Sequence, residues 1–272
     1  MRDGSIKKLA VGFPWSSPFI WTDFVDGNMN LERPDGVSVR FFRGSGWCPA
    51  RRHIHICEQA LEWGADAICI IGSDQMHPED MLVRLVDRYN QGHEVVSAMV
   101  PSRGYFAWQQ MKPFQPMAWR FASKSFAGKG NGTLKQDTKI REYRNLAKDG
   151  DMMEVIIPEE GKDMERCNFI GSGVLMFHVD HLLALEKPWF KETINPHDMQ
   201  RLASMDTTFV WRLQMEAHAT VWIDTTIKVK HVHSFQIDET YQDRFGDWAK
   251  QGEGDPSVCR FHETVMASRQ ED

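Results

Sequence analysis

Ala67-Ile68-Cys69-Ile70-Ile71-Gly72-Ser73-Asp74-Gln75 is the stretch on which the fold turns. Five consecutive apolar residues without polar alternation read as a strand buried on both faces, as in a parallel sheet. A glycine and a serine then release the chain, and a lone carboxylate follows. Upstream, Pro49 to Trp63 reads as a helix: proline suits the first turn, Ile56, Cys57, Ala60 and Leu61 make one apolar face, and Gly64 stops it. Downstream, Pro78 opens a second helix, with Glu79 and Asp80 in its first turn and Met81, Leu82, Leu85 and Val86 facing inward. Glu94 to Val100 returns as a strand, and Pro101 ends it.

Further out, Leu9-Ala10-Val11-Gly12-Phe13 is a second apolar strand stopped by Pro14, and Val37 to Phe42 reads as a third. Strand, helix, strand, helix, strand within about 90 residues implies right-handed crossovers and an α/β fold with a doubly wound, mostly parallel sheet flanked by helices. From Gly104 to Asn168 the pattern weakens into Pro-, Gly- and charge-rich sequence, expected to form loops over a site. The glycines of residues 128–132 lack the spacing of a phosphate-binding P-loop. Order resumes with one strand over Phe169 to Phe177, a helix after Asp180, a helix from Asp206 to Ala217, a strand at Thr220 to Asp224 and an alternating strand from Thr226 to His233.

A chain of 272 residues can bury a full core as one large domain or two small ones. With 42% hydrophobic residues, 26% charged residues and a net charge of −6, it has neither the composition of a disordered chain nor a general basic surplus for nucleic acid. A local basic face stays open. No apolar signal region starts the sequence and no run of ~18 apolar residues occurs, so a cytoplasmic protein without a membrane segment is expected. The five cysteines are odd in number and scattered without a CxxC pair, which favours reduced thiols over a disulfide framework or a cysteine-built zinc site.

In an open parallel sheet, ligands bind beyond the carboxyl ends of the strands. The residues there are Pro14-Trp15, Ser73-Asp74-Gln75 and Pro101-Ser102-Arg103. Asp74 is placed to hold a divalent cation against two phosphates, or else is a loop or helix-capping aspartate. Arg51 and Arg52, in a helical first turn, read as phosphate ligands or as surface arginines. His53 and His55, two apart on that helix, point away from one another and cannot chelate one ion. His231 and His233 share one face of a strand, compatible with metal binding and equally with solvation. Asp206 is a general base or a helix cap.

The order of Ala50-Arg51-Arg52, Gly64 to Pro78, the glycine-rich Gly171-Ser172-Gly173, Asp206-Thr207-Thr208-Phe209 and a late histidine resembles GT-A fold glycosyltransferases close to family 2, over about residues 7 to 235. The resemblance implies a Rossmann-like α/β domain using a nucleoside-diphosphate sugar, a UDP-sugar first, with Mn²⁺ or Mg²⁺. Residues 1–103 would form the donor-binding half, 104–235 the acceptor and catalytic half, and 236–272 a C-terminal extension of one domain. It makes Asp74 the last aspartate of an Asp-x-Asp motif, with Gly72 in place of the first. It makes His231 the completing metal ligand, with His233 in reserve. It sets Pro14 and Trp15 against the base, Arg51 and Ser73 at the donor, and Gly171, Ser172 and Gly173 along the sugar cavity. Asp206 becomes the base of an inverting transfer, although Met205 replaces the usual glutamate.

Likeness to stand-alone, phage-type members adds a hydroxymethylated nucleobase in DNA to saccharides as candidate acceptors. Residues 124–129 and Lys135 to Arg144 would be its basic contacts or else a solvated loop, and Trp108, Trp119, Trp189 and Trp211 stacking surfaces or core. No protein partner is implied. A nucleotidyltransferase is the rival enzyme, although Pro14-Trp15-Ser16-Ser17 is not the glycine-rich, basic first loop usual there. A non-catalytic sugar-nucleotide-binding module is the third reading.

Overall fold

The computed structural model describes residues 5–15, 22–101, 117–121, 153–156, 161–194, 199 and 201–231. In chain order the strands are β1 (Lys8–Phe13), β2 (Ser38–Arg43), β3 (Ala67–Ile71), β4 (Gln75–Met76), β5 (Val95–Met99), β6 (Ala118–Phe121), β7 (Met153–Val155), β8 (Met164–Arg166), β9 (Phe169–Ile170), β10 (Val174–His178), β11 (Thr193–Ile194), β12 (Arg201–Ala203), β13 (Val221–Lys228) and β14 (Lys230–His231). The helices are α1 (Thr22–Met29), α2 (Pro49–Trp63), α3 (Met81–Asn90), α4 (Val179–Leu183) and α5 (Met205–Met215).

Seven strands form the main sheet in the order β2-β1-β3-β10-β5-β13-β8. Strands β2, β1 and β3 are mutually parallel, as are β5 and β13, while β10 runs antiparallel between β3 and β5. The edge strand β8 is antiparallel to β13. The result is a mixed α/β, Rossmann-like fold with a mostly parallel sheet flanked by helices.

All five residues of β3 are fully buried, and its side chains divide by parity between two cores. Ile68 and Ile70 join the cluster that holds Ile56 of α2 and Phe209 of α5, whereas Ala67, Cys69 and Ile71 join the one that holds Leu82 and Leu85 of α3. A strand covered on both faces must be apolar throughout, which is why it shows no alternation. Each of its isoleucines contributes about 1.5–3 kcal/mol by leaving water. Cys57, Cys69 and Cys167 are buried and free. Burial pushes the Cys69 thiol up to about 12 and raises the other two as well, so all three stay protonated and inert.

Helix α2 has the expected bounds, and Gly64 closes it at φ 73° and ψ 42°, a left-handed conformation that a Cβ would strain. Elsewhere the structure corrects the sequence. Helix α3 begins at Met81 rather than Pro78, because Gln75 and Met76 are taken up by pairing with β14 and residues 78–80 form the turn that follows. The single strand expected over Phe169 to Phe177 is two, since Gly171-Ser172-Gly173 carries the chain from a small sheet, β7-β6-β9, into the main one. Conversely, β13 continues through Thr225, which bonds to Asp163 and Lys162, although its register on β5 shifts between Asp224 and Lys228. Strands β6, β7 and β8 lie in the stretch expected to be loop, and α1 was not foreseen. Among the described residues, no helix is long and apolar enough to cross a membrane.

Candidate functional site

The carboxyl ends of β1, β2, β3, β5 and β13 lie along one edge of the sheet, and the antiparallel β10 brings its amino end there, with Val174 opposite Ile71. Gly72 N–H donates to the Gly173 carbonyl at 2.7 Å, which fastens the Ser73-Asp74 turn to the Gly171-Ser172-Gly173 segment. Both glycines sit where a side chain would be crowded. A Cβ on Gly72 would stand 3.0 Å from Asp74 Oδ1 and 3.0 Å from Gln75 Cγ, and one on Gly173 would stand 2.9 Å from Val100 Cγ1.

Asp74 Oδ1 accepts a hydrogen bond from Gln75 Nε2 at 3.0 Å. Gln75 is buried, and its Oε1 has no hydrogen-bond partner among the described residues. Directly opposite Gln75 in the β4–β14 pair is the backbone of His231. The chain thus returns, more than 150 residues later, to the residue beside Asp74. His233 lies outside the described residues.

Ser172 N–H reaches Asp206 Oδ2 at 3.3 Å, so the same glycine-rich segment also touches the first turn of α5. Asp206 Oδ1 accepts from Ser204 Oγ and from Thr207 N–H, the latter at 2.9 Å. The N-cap of α5 is Ser204, so Asp206, two residues further on in the first turn, is not the capping residue that the sequence left as one alternative. Behind it, on α2, His53 is buried against Phe190 with its ring 4.9 Å away. A carbonyl only accepts, so Nδ1 carries the proton that bonds Pro49 O at 2.8 Å, and Nε2 is a buried lone pair with no partner. Burial lowers the His53 pKa, against smaller upward effects of the Pro49 carbonyl and Asp206.

His77 and His181 are likewise lowered, mainly by burial. The unfolded chain therefore takes up protons first, below the ordinary histidine value of ~6.5. Stability present above that pH is lost as pH falls toward the depressed folded values. Thermal melting from pH 8 down to 5.5 should show a falling midpoint, with a shallower slope in His53→Phe; equal slopes would show that His53 stays outside this linkage.

The remaining expected donor residues are spread along the same edge. Trp15 is half-buried beside Phe24, and the Arg43 guanidinium lies 5.0 Å from its ring centroid. Pro14 precedes it, half-buried. Arg51 stands in the first turn of α2 but turns its guanidinium to Glu58 at 2.9 Å, and Arg52 donates to Gly46 O. In this geometry neither arginine is committed to an anion at the helix end. His55 bonds Ser45 while His53 is buried, so the two do diverge. Trp189 and Trp211 are core residues and Trp119 is half-buried. Ser16, Ser17, Ser102, Arg103, Trp108 and both basic stretches lie outside the described residues.

Among the described residues, no group of three or more His, Cys, Asp or Glu side chains could hold a metal ion. The oxygen donors at the β3 end do fit a hard cation of the Mg²⁺ or Mn²⁺ type: one carboxylate and one buried amide oxygen with an open acceptor position. The sequence signal for Gln75 and His77 was weak because neither bears a fixed charge. His77 Nε2 pairs with Asn28 Oδ1 at 3.3 Å, tying α1 to the site segment.

In open α/β sheets, ligands bind beyond the carboxyl ends of the strands, which is the edge these residues line. No protein-family model matches the chain, and no curated protein sequence does. Solved structures do match. The protein "A197" from STIV is 11% identical with a TM-score of 0.51, covering 84% of this chain and 86% of that one. UDP-glucose pyrophosphorylase complexed with UDP-glucose is 8% identical with a TM-score of 0.38, covering 79% of this chain and 67% of that one. The UTP-bound enzyme from Acinetobacter baumannii is 12% identical with a TM-score of 0.39, covering 85% and 66%. The first shows a fold shared over most of both chains. The pyrophosphorylase alignments are too loose to bear on fold or function.

Proposed function

We propose that this protein is a metal-dependent glycosyltransferase that takes a nucleoside-diphosphate sugar, UDP-sugars first, and passes the sugar to an acceptor hydroxyl with inversion. The observation that carries the proposal is the register of β14 on β4, which returns the backbone of His231 to the residue next to Asp74 at the carboxyl end of β3. In this reading Asp74, joined by His231 or His233, holds Mn²⁺ or Mg²⁺ against the diphosphate; the bound ion would offset negative charge on the departing group. Trp15 and Pro14 take the base, and Ser73 and the bare backbone of Gly171-Ser172-Gly173 line the sugar. Arg51 serves the phosphates only by exchanging Glu58 for them. Residues 1–103 act as the donor half and 104–235 as the acceptor half of one domain.

In the transfer, the acceptor oxygen bonds to the anomeric carbon as that carbon's bond to the phosphate oxygen breaks. The hydroxyl proton goes to Asp206. Its Oδ1 already receives two hydrogen bonds, whereas Oδ2 receives one long bond from Ser172, so Oδ2 keeps the freer lone pair for that proton. Asp206→Asn is expected to lose about 10²-fold or more in transfer rate with donor binding kept. A rate within threefold of the parent would remove Asp206 from the chemistry.

The test of the proposal is a panel of UDP-, GDP- and CDP-sugars with Mn²⁺, read as donor hydrolysis and as transfer to mixed acceptors that include saccharides and hydroxymethylated DNA. Metal-dependent release of nucleoside diphosphate from one donor is expected. Silence across the panel, or pyrophosphate release from a nucleoside triphosphate and a sugar phosphate instead, would replace it.

A further inference from the structure

The resemblance in sequence leaves a gap at Gly72, where a second acidic residue would ordinarily assist Asp74, and the structure places a different side chain in that space. Gln75 folds back toward residue 72. A Cβ there would lie 3.0 Å from Gln75 Cγ and 3.4 Å from its Nε2, and on the other side a Cβ at Gly173 would lie 3.5 Å from Gln75 Cδ. Glycine at 72 thus leaves room for this side chain, which lies against Gly173 at ordinary contact distance. Its orientation is fixed by chemistry: the Asp74 carboxylate only accepts, so the amide must present Nε2 to it, at 3.0 Å, and Oε1 elsewhere. Gln75 is 2% exposed, and Oε1 is a buried oxygen without a hydrogen-bond partner among the described residues. A buried acceptor left open costs about 1–3 kcal/mol. Such an atom beside a carboxylate is suited to a ligand that only donates or carries positive charge.

We propose that Gln75 Oε1 is an oxygen ligand for the divalent cation held by Asp74, supplying from the following strand the contact that glycine at position 72 cannot. The inference rests on the glycosyltransferase reading only in taking Asp74 as a metal carboxylate. An amide oxygen is a hard donor of the kind that Mn²⁺ and Mg²⁺ accept, and it binds without adding a second negative charge that would repel the diphosphate. The Nε2 hydrogen bond meanwhile holds the Asp74 carboxylate in one rotamer, so the two side chains form a single donor pair. The β4–β14 ladder fixes the Gln75 backbone.

The test is direct binding of Mn²⁺ to the full chain, followed by the loss of the free-ion paramagnetic resonance signal, with circular dichroism confirming the fold of each variant. Asp74→Asn should abolish binding. Gln75→Leu, similar in size and without the oxygen, should weaken it about tenfold or more, and Gln75→Glu should bind at least as tightly as the parent, since it keeps an oxygen and adds charge. Parental affinity in Gln75→Leu would assign Gln75 to packing alone and overturn the inference while leaving Asp74 in place. Should Gln75→Leu fail to fold, weaker binding by Gln75→Glu overturns it instead. Absence of Mn²⁺ binding by the parent protein would overturn the metal reading of Asp74 and this inference together.

Discussion

Asp74→Asn is expected to lower metal-dependent turnover of a sugar-nucleotide donor by about 10²-fold or more without unfolding the protein. The substitution keeps the shape of the side chain and removes its charge. Asp74 occupies the turn between β3 and β4 rather than either core, so packing on the sheet is untouched. What disappears is the carboxylate proposed to hold the cation and the acceptor for Gln75 Nε2. Initial rates of donor hydrolysis with Mn²⁺, alongside melting midpoints, separate the two effects. A parental rate in a folded Asp74→Asn protein would mean that the donor is held elsewhere.

Asp224→Ala is expected to cause the largest loss of stability, about 3–5 kcal/mol, a fall in melting midpoint on the order of 10 °C for a domain of this size. Asp224 is fully buried in β13 and bonds Arg88 Nε at 2.8 Å. The same carboxylate receives Thr226 Oγ1 at 2.5 Å, Thr226 N–H at 2.8 Å and Ile227 N–H at 3.2 Å. Arg88 belongs to α3, so this cluster pins α3 to β13 across the core they share. Removing the carboxylate leaves a largely buried guanidinium and two backbone N–H groups without it. Burial by itself would raise the Asp224 pKa, but the bonds from Thr226 and Arg88 outweigh it and hold the carboxyl below its usual value. The stabilisation is therefore complete above the ordinary carboxyl range near ~4 and lost as pH falls through the lower folded value. Urea unfolding at pH 7 measures the loss; a difference under 1 kcal/mol would mean that the pair is replaceable by water.

The central elements were legible because they are punctuated. Proline at 49 and glycine at 64 bound α2, and an unbroken apolar run can only be β3 when both faces are covered. The strand that sequence could not divide, Phe169 to Phe177, is apolar on both sides of Gly171-Ser172-Gly173, so periodicity carries no sign of a change of sheet. Helix α1, TDFVDGNM, mixes glycine with polar residues and holds its place through tertiary contacts, Phe24 against Phe13 and Asn28 against His77. Strands β6, β7 and β8, of three or four residues each, are too short to show a period.

At the edge of the sheet, the rule that ligands gather beyond strand ends singled out Asp74, and the structure brings Gly173 and the His231 backbone to that same place. What sequence could not convey was contact geometry. Arg51 turns to Glu58, a residue seven positions away, and Gln75, placed by sequence at the strand end but given no role there, fills the space left by Gly72.

Calorimetric titration of a UDP-sugar into the protein, with Mn²⁺ and again with excess chelator, tests the central claim most directly. Binding that requires the metal and is lost in Asp74→Asn is the predicted result; binding unaffected by chelator, or no binding of any sugar nucleotide, would contradict it.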